Sequence, residues 1–92
     1  MRKGVMGMED LQIISLLFQR SETAIPMLQQ KFGGLCRIVI SNILPDRRDV
    51  EECASDTYLR VWNSIPPQHP ARLDSYLARI ARNVALDRYD YN

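Results

Sequence analysis

Residues 75–89 read "SYLARIARNVALDRY". Apolar residues return every three or four positions, the period of an α-helix rather than the alternation of a strand. At about 100° per residue, Tyr76, Leu77, Ile80, Ala81 and Val84 gather on one side. Arg79, Arg82 and Asn83 gather on another, within a sector of roughly 100°, and Leu86 joins them. Arg88 lies nearer the apolar edge, where its methylene stem can cover core surface. Asp74 or Ser75 is placed to cap the start of this helix. The same period recurs upstream, and no alternating pattern of useful length occurs. An all-α fold follows.

Just before this segment, "IPPQHPARLD" (65–74) holds three prolines. It cannot be helical throughout, and a stiff, extended connection is expected. Further back, "DVEECASDTYLRVWNSI" (49–65) places Val50, Cys53, Ala54, Thr57, Val61 and Ile65 in one stripe. Glu51, Glu52, Ser55, Asp56, Arg60 and Asn63 lie elsewhere, while Tyr58, Leu59 and Trp62 widen the apolar surface. This predicts a helix over 49–64. Asp49 and Glu52 have capping-box spacing, and Asp46 is an alternative cap. A helix over 24–43 carries Leu28, Phe32, Leu35, Val39 and Ile43 on one side, with Pro26 in its first turn. Gly33 and Gly34 would bend or weaken it. "RSETA" (20–24) is a break with Ser21 as a possible N-cap. A first helix over 9–20 is marked by Leu11, Ile14, Leu17 and Phe18. The expected architecture is a compact all-α bundle of about four helices.

The chain has 92 residues, 46% hydrophobic and 25% charged, with a net charge of +1. One domain is expected, burying roughly 60–65% of the unfolded chain's surface. The net charge makes no case for nucleic acid, so such a case must rest on how charge is distributed. Cys36 and Cys53 are far apart and His69 is the only histidine, so no zinc site is indicated. Two isolated cysteines fit small core residues in a reducing cytoplasm. An enzyme needs a nucleophile–base pair or a metal cluster, and the spacing of His69 with Cys36 or Cys53 supports neither. No apolar run approaches the ~20 residues of a membrane span. "MRKGVMG" (1–7) lacks the apolar segment of a signal peptide and is expected to be a disordered lead or a cloning remnant.

Two surfaces carry the chemistry. Arginine offers planar, multi-donor contacts to phosphate and stacks on bases, and asparagine matches base edges. Arg79, Arg82 and Asn83 therefore fit either a nucleic-acid face or the solvated back of a core helix. On the preceding helix, Leu59 lies one helical step from Ser55 and Asp56. That fits either a solvated acidic face or a partner surface on which an apolar group borders polar ones.

In this order, "DVEECASDTYLRVW", a proline-rich loop and "SYLARIARNVALDRY" closely resemble region 2 of sigma-70-type transcription initiation factors. The likeness is strongest to the extracytoplasmic-function (ECF) group, and "RIARN.ALDR" is its specific string. It covers about residues 8–89. It implies a DNA- and polymerase-binding subunit, not an enzyme, and no cofactor. By position, Glu52, Ser55, Asp56 and Leu59, with Arg60 nearby, would contact the clamp helices of the largest subunit of core RNA polymerase. The loop 66–73 would shape a pocket for a flipped base of the promoter −10 element. Arg72, Tyr76, Arg79, Arg82 and Asn83 would hold the non-template strand. An anti-sigma factor is a further implied partner.

The sequence departs from the family pattern in three places. Ser55 stands where glutamine is frequent. Tyr76 replaces a frequent tryptophan, adding a hydroxyl that would pair with DNA or with a core group. "DYN" (90–92) stands where a basic run usually follows, so a fragment lacking the linker and the C-terminal helix-turn-helix domain is expected. The alternative, from a different class, is a helical protein-interaction module without DNA contact, working through the acidic helix and Leu59.

Overall fold

A computed structural model describes residues 6–91. Most of the expected lead, residues 1–5, lies outside them, as does Asn92; Met6 packs against the core. Four helices follow in chain order: α1 Met8–Phe18, α2 Ala24–Ser41, α3 Arg47–Ser64 and α4 Leu73–Tyr91. No strand occurs among the described residues. α2, α3 and α4 pack against one another and α1 lies against α2, so one core serves the whole bundle.

The core side of α3 is the stripe Val50, Cys53, Ala54, Thr57 and Val61, continued by Ile65 just past the helix end. Thr57 is the one buried polar residue of the described core. Its hydroxyl donates to the Cys53 carbonyl at 2.8 Å, so no polar atom is left stranded. Both cysteines are free and buried, and burial pushes the Cys36 thiol up to about 11. A thiol held that way is an inert packing group.

On α2 the buried seam runs through Ala24, Leu28, Phe32, Cys36 and Ile40. Leu35, Val39 and Ile43 are only half-buried, so the seam lies one position beyond the expected one in its second half. The small residues explain it: a Cβ at Gly33 would stand 3.4 Å from the Tyr58 hydroxyl, which marks how closely α3 approaches. α2 is continuous through Gly33 and Gly34. On α1, Ile13, Ile14 and Leu17 are buried, whereas Leu11 and Phe18 are exposed; the Phe18 ring lies 5.6 Å from His69.

The helix ends correct several expectations. α2 is preceded by Thr23, without a side-chain cap, rather than capped by Ser21. Ser21 shares a hydrogen bond with Thr23 and its carbonyl accepts from Ala24 N–H. Asp46 caps α3, accepting from Arg48 N–H at 2.7 Å, so Asp49 falls inside the first turn. α4 begins at Leu73, ahead of Asp74 and Ser75, because Leu73 is fully buried and the Arg72 carbonyl already accepts from Tyr76 N–H. The connection between α3 and α4 starts as a turn, not an extended run: Gln68 N–H bonds the Ser64 carbonyl at 2.9 Å.

α1 stops at Phe18 rather than near Arg20 because Arg20 takes a left-handed conformation, φ 56°. Its N–H bonds the Leu17 carbonyl and Ser21 N–H bonds the Leu16 carbonyl. This is the Schellman pattern, in which glycine normally holds the left-handed position. A side chain there costs about 1–3 kcal/mol of backbone strain.

Candidate nucleic-acid and partner interfaces

The loop 66–72 and the first turns of α4 enclose an open pocket of about 360 Å³. Gln68, Pro70 and Arg72 line it from the loop, and Ser75, Tyr76 and Arg79 from the helix. Arg79, Arg82 and Asn83 are exposed along the same outer side of α4. Among the described residues, neither Arg79 nor Arg82 is ion-paired. Two uncompensated cations beside a concave, partly apolar site suit an anionic chain carrying a planar group.

Arg72 differs from these two. It is held by Asp74, with Nη2 at 2.8 Å and Nε at 3.2 Å from the carboxylate oxygens. This pairing, helped by Ser75 N–H, holds the Asp74 carboxyl below its ordinary value. Arg72 thus reaches the pocket with its charge largely compensated. Tyr76 is half-buried, and its hydroxyl donates to Ser64 Oγ at 2.7 Å. The hydroxyl is committed to α3, so Tyr76 offers the pocket its ring. Leu86 is half-buried rather than part of the open face.

The second surface is the outer side of α3. Ser55, Asp56, Leu59 and Arg60 are exposed together, Leu59 to 56%. Arg60 reaches Asp87 at 3.4 Å. Glu52 is also exposed, but Arg88 binds it and Asp49 at 2.9 Å each, pinning the end of α4 to the start of α3. Arg88 therefore does more than cover the core edge, and Glu52 is the most compensated acid of the proposed contact set. Beside Leu59, Trp62 and the Glu22, Ile25 and Pro26 side chains border an open groove of about 510 Å³.

Sequence reasoning singled out neither Gln68 nor Ser75 for the pocket, and missed Ile25 and Pro26 beside Leu59. Gln68 was findable in principle, being the one side-chain amide among the prolines. Ile25 and Pro26 meet Leu59 only through the packing of α2 on α3, which no local pattern carries. Among the described residues no group of His, Cys, Asp or Glu could hold a metal ion, and no helix is long and apolar enough to cross a membrane.

The family model for sigma-70 region 2 matches residues 28–92, which hold most of α2, all of α3 and α4, the pocket and the exposed side of α3. The chain belongs to the sigma-70 region 2 family. It is thus a non-enzymatic transcription-factor domain, of the kind that serves sigma factors in core RNA polymerase binding and promoter melting. Comparisons with curated proteins and with solved structures return no match.

Proposed function

We propose that this domain recognises the promoter −10 element and holds its non-template strand open, as part of a cytoplasmic sigma factor of the ECF group. The observation that carries this is the pocket between the proline loop and α4, flanked by the unpaired Arg79 and Arg82. Extruding a base from a duplex costs a few kcal/mol, on the order of the stacking a protein can return, about 1–3 kcal/mol per base. A base entering the pocket stacks on the Tyr76 ring. Arg79 and Arg82 neutralise the adjoining phosphates, and Asn83 presents a donor and an acceptor to the next base edge. Pro70 in the pocket wall, with Pro66 and Pro67 earlier in the same loop, leaves little loop entropy to be lost on binding.

Polymerase docks on the other side. Ser55, Asp56, Leu59 and Arg60 meet the clamp helices, with Asp56 supplying charge complementarity and Leu59 the apolar contact. Acid on this face repels DNA and so keeps the two surfaces distinct. An anti-sigma factor covering Leu59 and Asp56 competes with polymerase for the same face.

The test pairs two variants. Arg79→Ala with Arg82→Ala lowers affinity for single-stranded −10-like DNA by roughly tenfold or more and leaves core polymerase binding intact. Asp56→Arg does the reverse in a pull-down with core polymerase. Undiminished DNA binding by the arginine double variant overturns the DNA reading, leaving the Leu59 groove as the working surface of a protein-interaction module.

A further inference from the structure

We propose that Arg20, on the turn between α1 and α2, is a positioning residue for base recognition. It caps α3 from outside that helix and so sets the direction in which the pocket-forming loop leaves. The proposal rests on the reading that the pocket takes a base.

The last carbonyls of a helix lack intrahelical partners and carry partial negative charge, which a basic residue in the last turn commonly offsets. α3 has none there. Arg20 supplies it from elsewhere in the chain: its Nη1 donates to the Trp62 and Ile65 carbonyls, both at 2.9 Å. The guanidinium also lies 3.8 Å from the centre of the Trp62 ring. Ile65 is fully buried and is the last residue before the loop. Fixing its carbonyl fixes where Pro66 begins.

The backbone at Arg20 makes the side chain's role distinct from that of the turn. A Schellman turn needs only a residue that tolerates positive φ, and glycine does so without strain. Arginine at φ 56° is the harder choice for ending α1, and the gain lies in what its guanidinium reaches. A second contact from the same region supports the loop, since the Phe18 ring packs near His69. The α4 wall of the pocket is held by the buried Leu73 and Leu77, and Tyr76 ties it to Ser64 at the end of α3, within the segment that Arg20 caps. Arg20 therefore acts at the segment from which the loop wall departs and to which the α4 wall is tied.

Arg20→Gly is the decisive variant because it preserves the turn while removing the guanidinium. Binding is measured by fluorescence anisotropy on single-stranded −10-like oligonucleotides that differ at one base. The ratio between preferred and disfavoured base falls about threefold or more, while the salt dependence set by Arg79 and Arg82 stays unchanged. Arg20→Lys, which keeps the charge but not the planar fork, recovers the ratio only in part. A wild-type ratio in Arg20→Gly, or an equal loss for every base together with a changed salt dependence, overturns the proposal. Absence of any base preference in the wild-type protein instead overturns the base-pocket reading. Amide exchange of Gln68, Ala71 and Arg72 in the free protein then decides the positioning role: faster exchange in Arg20→Gly upholds it, and unchanged exchange removes it.

Discussion

Asp74 accepts both Nε and Nη2 of Arg72 and also the N–H of Ser75. Its folded value lies below the ordinary 3.8, with the Arg72 hydrogen bond as the first cause. A carboxylate of lowered value contributes stability above its unfolded value and loses it as pH falls through the folded one. That loss therefore falls below pH 3.8. The pair is well exposed, so solvent screening keeps the effect small. Denaturant midpoints taken at about pH 5 and about pH 3 show a smaller acid-induced drop in Asp74→Asn than in the wild type. Equal drops dismiss the pairing as a stabilising contact. The proximity of the two residues was plain in "RLD", but their pairing was not, because Arg72 read equally well as a free cation. Tyr76 shows the same limit: its hydroxyl partner, Ser64, lies across a proline turn whose path the sequence leaves open.

At the scale of elements, the periodicity of α3 was sufficient and that of α4 nearly so, since Leu86, placed with the polar side, is half-buried and Ala85 joins the core. Every α3 stripe position is buried, and Arg79, Arg82 and Asn83 are exposed as their spacing requires. The limits lay at helix ends and in α2. Ends depend on caps, and Asp46, Asp49 and Ser21 are all chemically competent; tertiary contacts chose among them. The break was legible in "RSETA", but nothing marked Arg20 as left-handed, since that conformation is visible only once its side chain has something to hold. In α2 the glycines looked like weak points, and their surroundings differ. A Cβ at Gly34 meets nothing within 4 Å, whereas one at Gly33 meets the Tyr58 hydroxyl at 3.4 Å and the Arg37 guanidinium at 3.5 Å. Gly34→Ala removes unfolded-state freedom and fills open space, so it stabilises by roughly 0.5–1 kcal/mol in urea unfolding. Gly33→Ala gains less, because α3 must accommodate the methyl. A destabilised Gly34→Ala would mean that α2 needs flexibility there.

Across the whole molecule the net charge of +1 conceals a sorted distribution. Many of the acids are spent internally: Asp49 and Glu52 on Arg88, Glu51 on Arg37, Glu9 and Asp10 on Lys31, Asp74 on Arg72. These pairs tie helices together or quieten single cations, and they leave Arg79 and Arg82 as the uncompensated charges beside the pocket. Composition could not show this, because it counts charges without pairing them. The pairing does set a number. Each phosphate neutralised on a single strand contributes about −0.7 to the slope of log K against log salt. Two free arginines give a slope near −1.4, and releasing Arg72 by Asp74→Asn steepens it toward about −2.1 while raising affinity at low salt. Anisotropy titrations of single-stranded −10-like DNA across a salt series measure both slopes. A wild-type slope near zero excludes phosphate contacts by α4. An Asp74→Asn slope equal to that of the wild type shows that Arg72 faces away from the strand, and confines the electrostatic contact to Arg79 and Arg82.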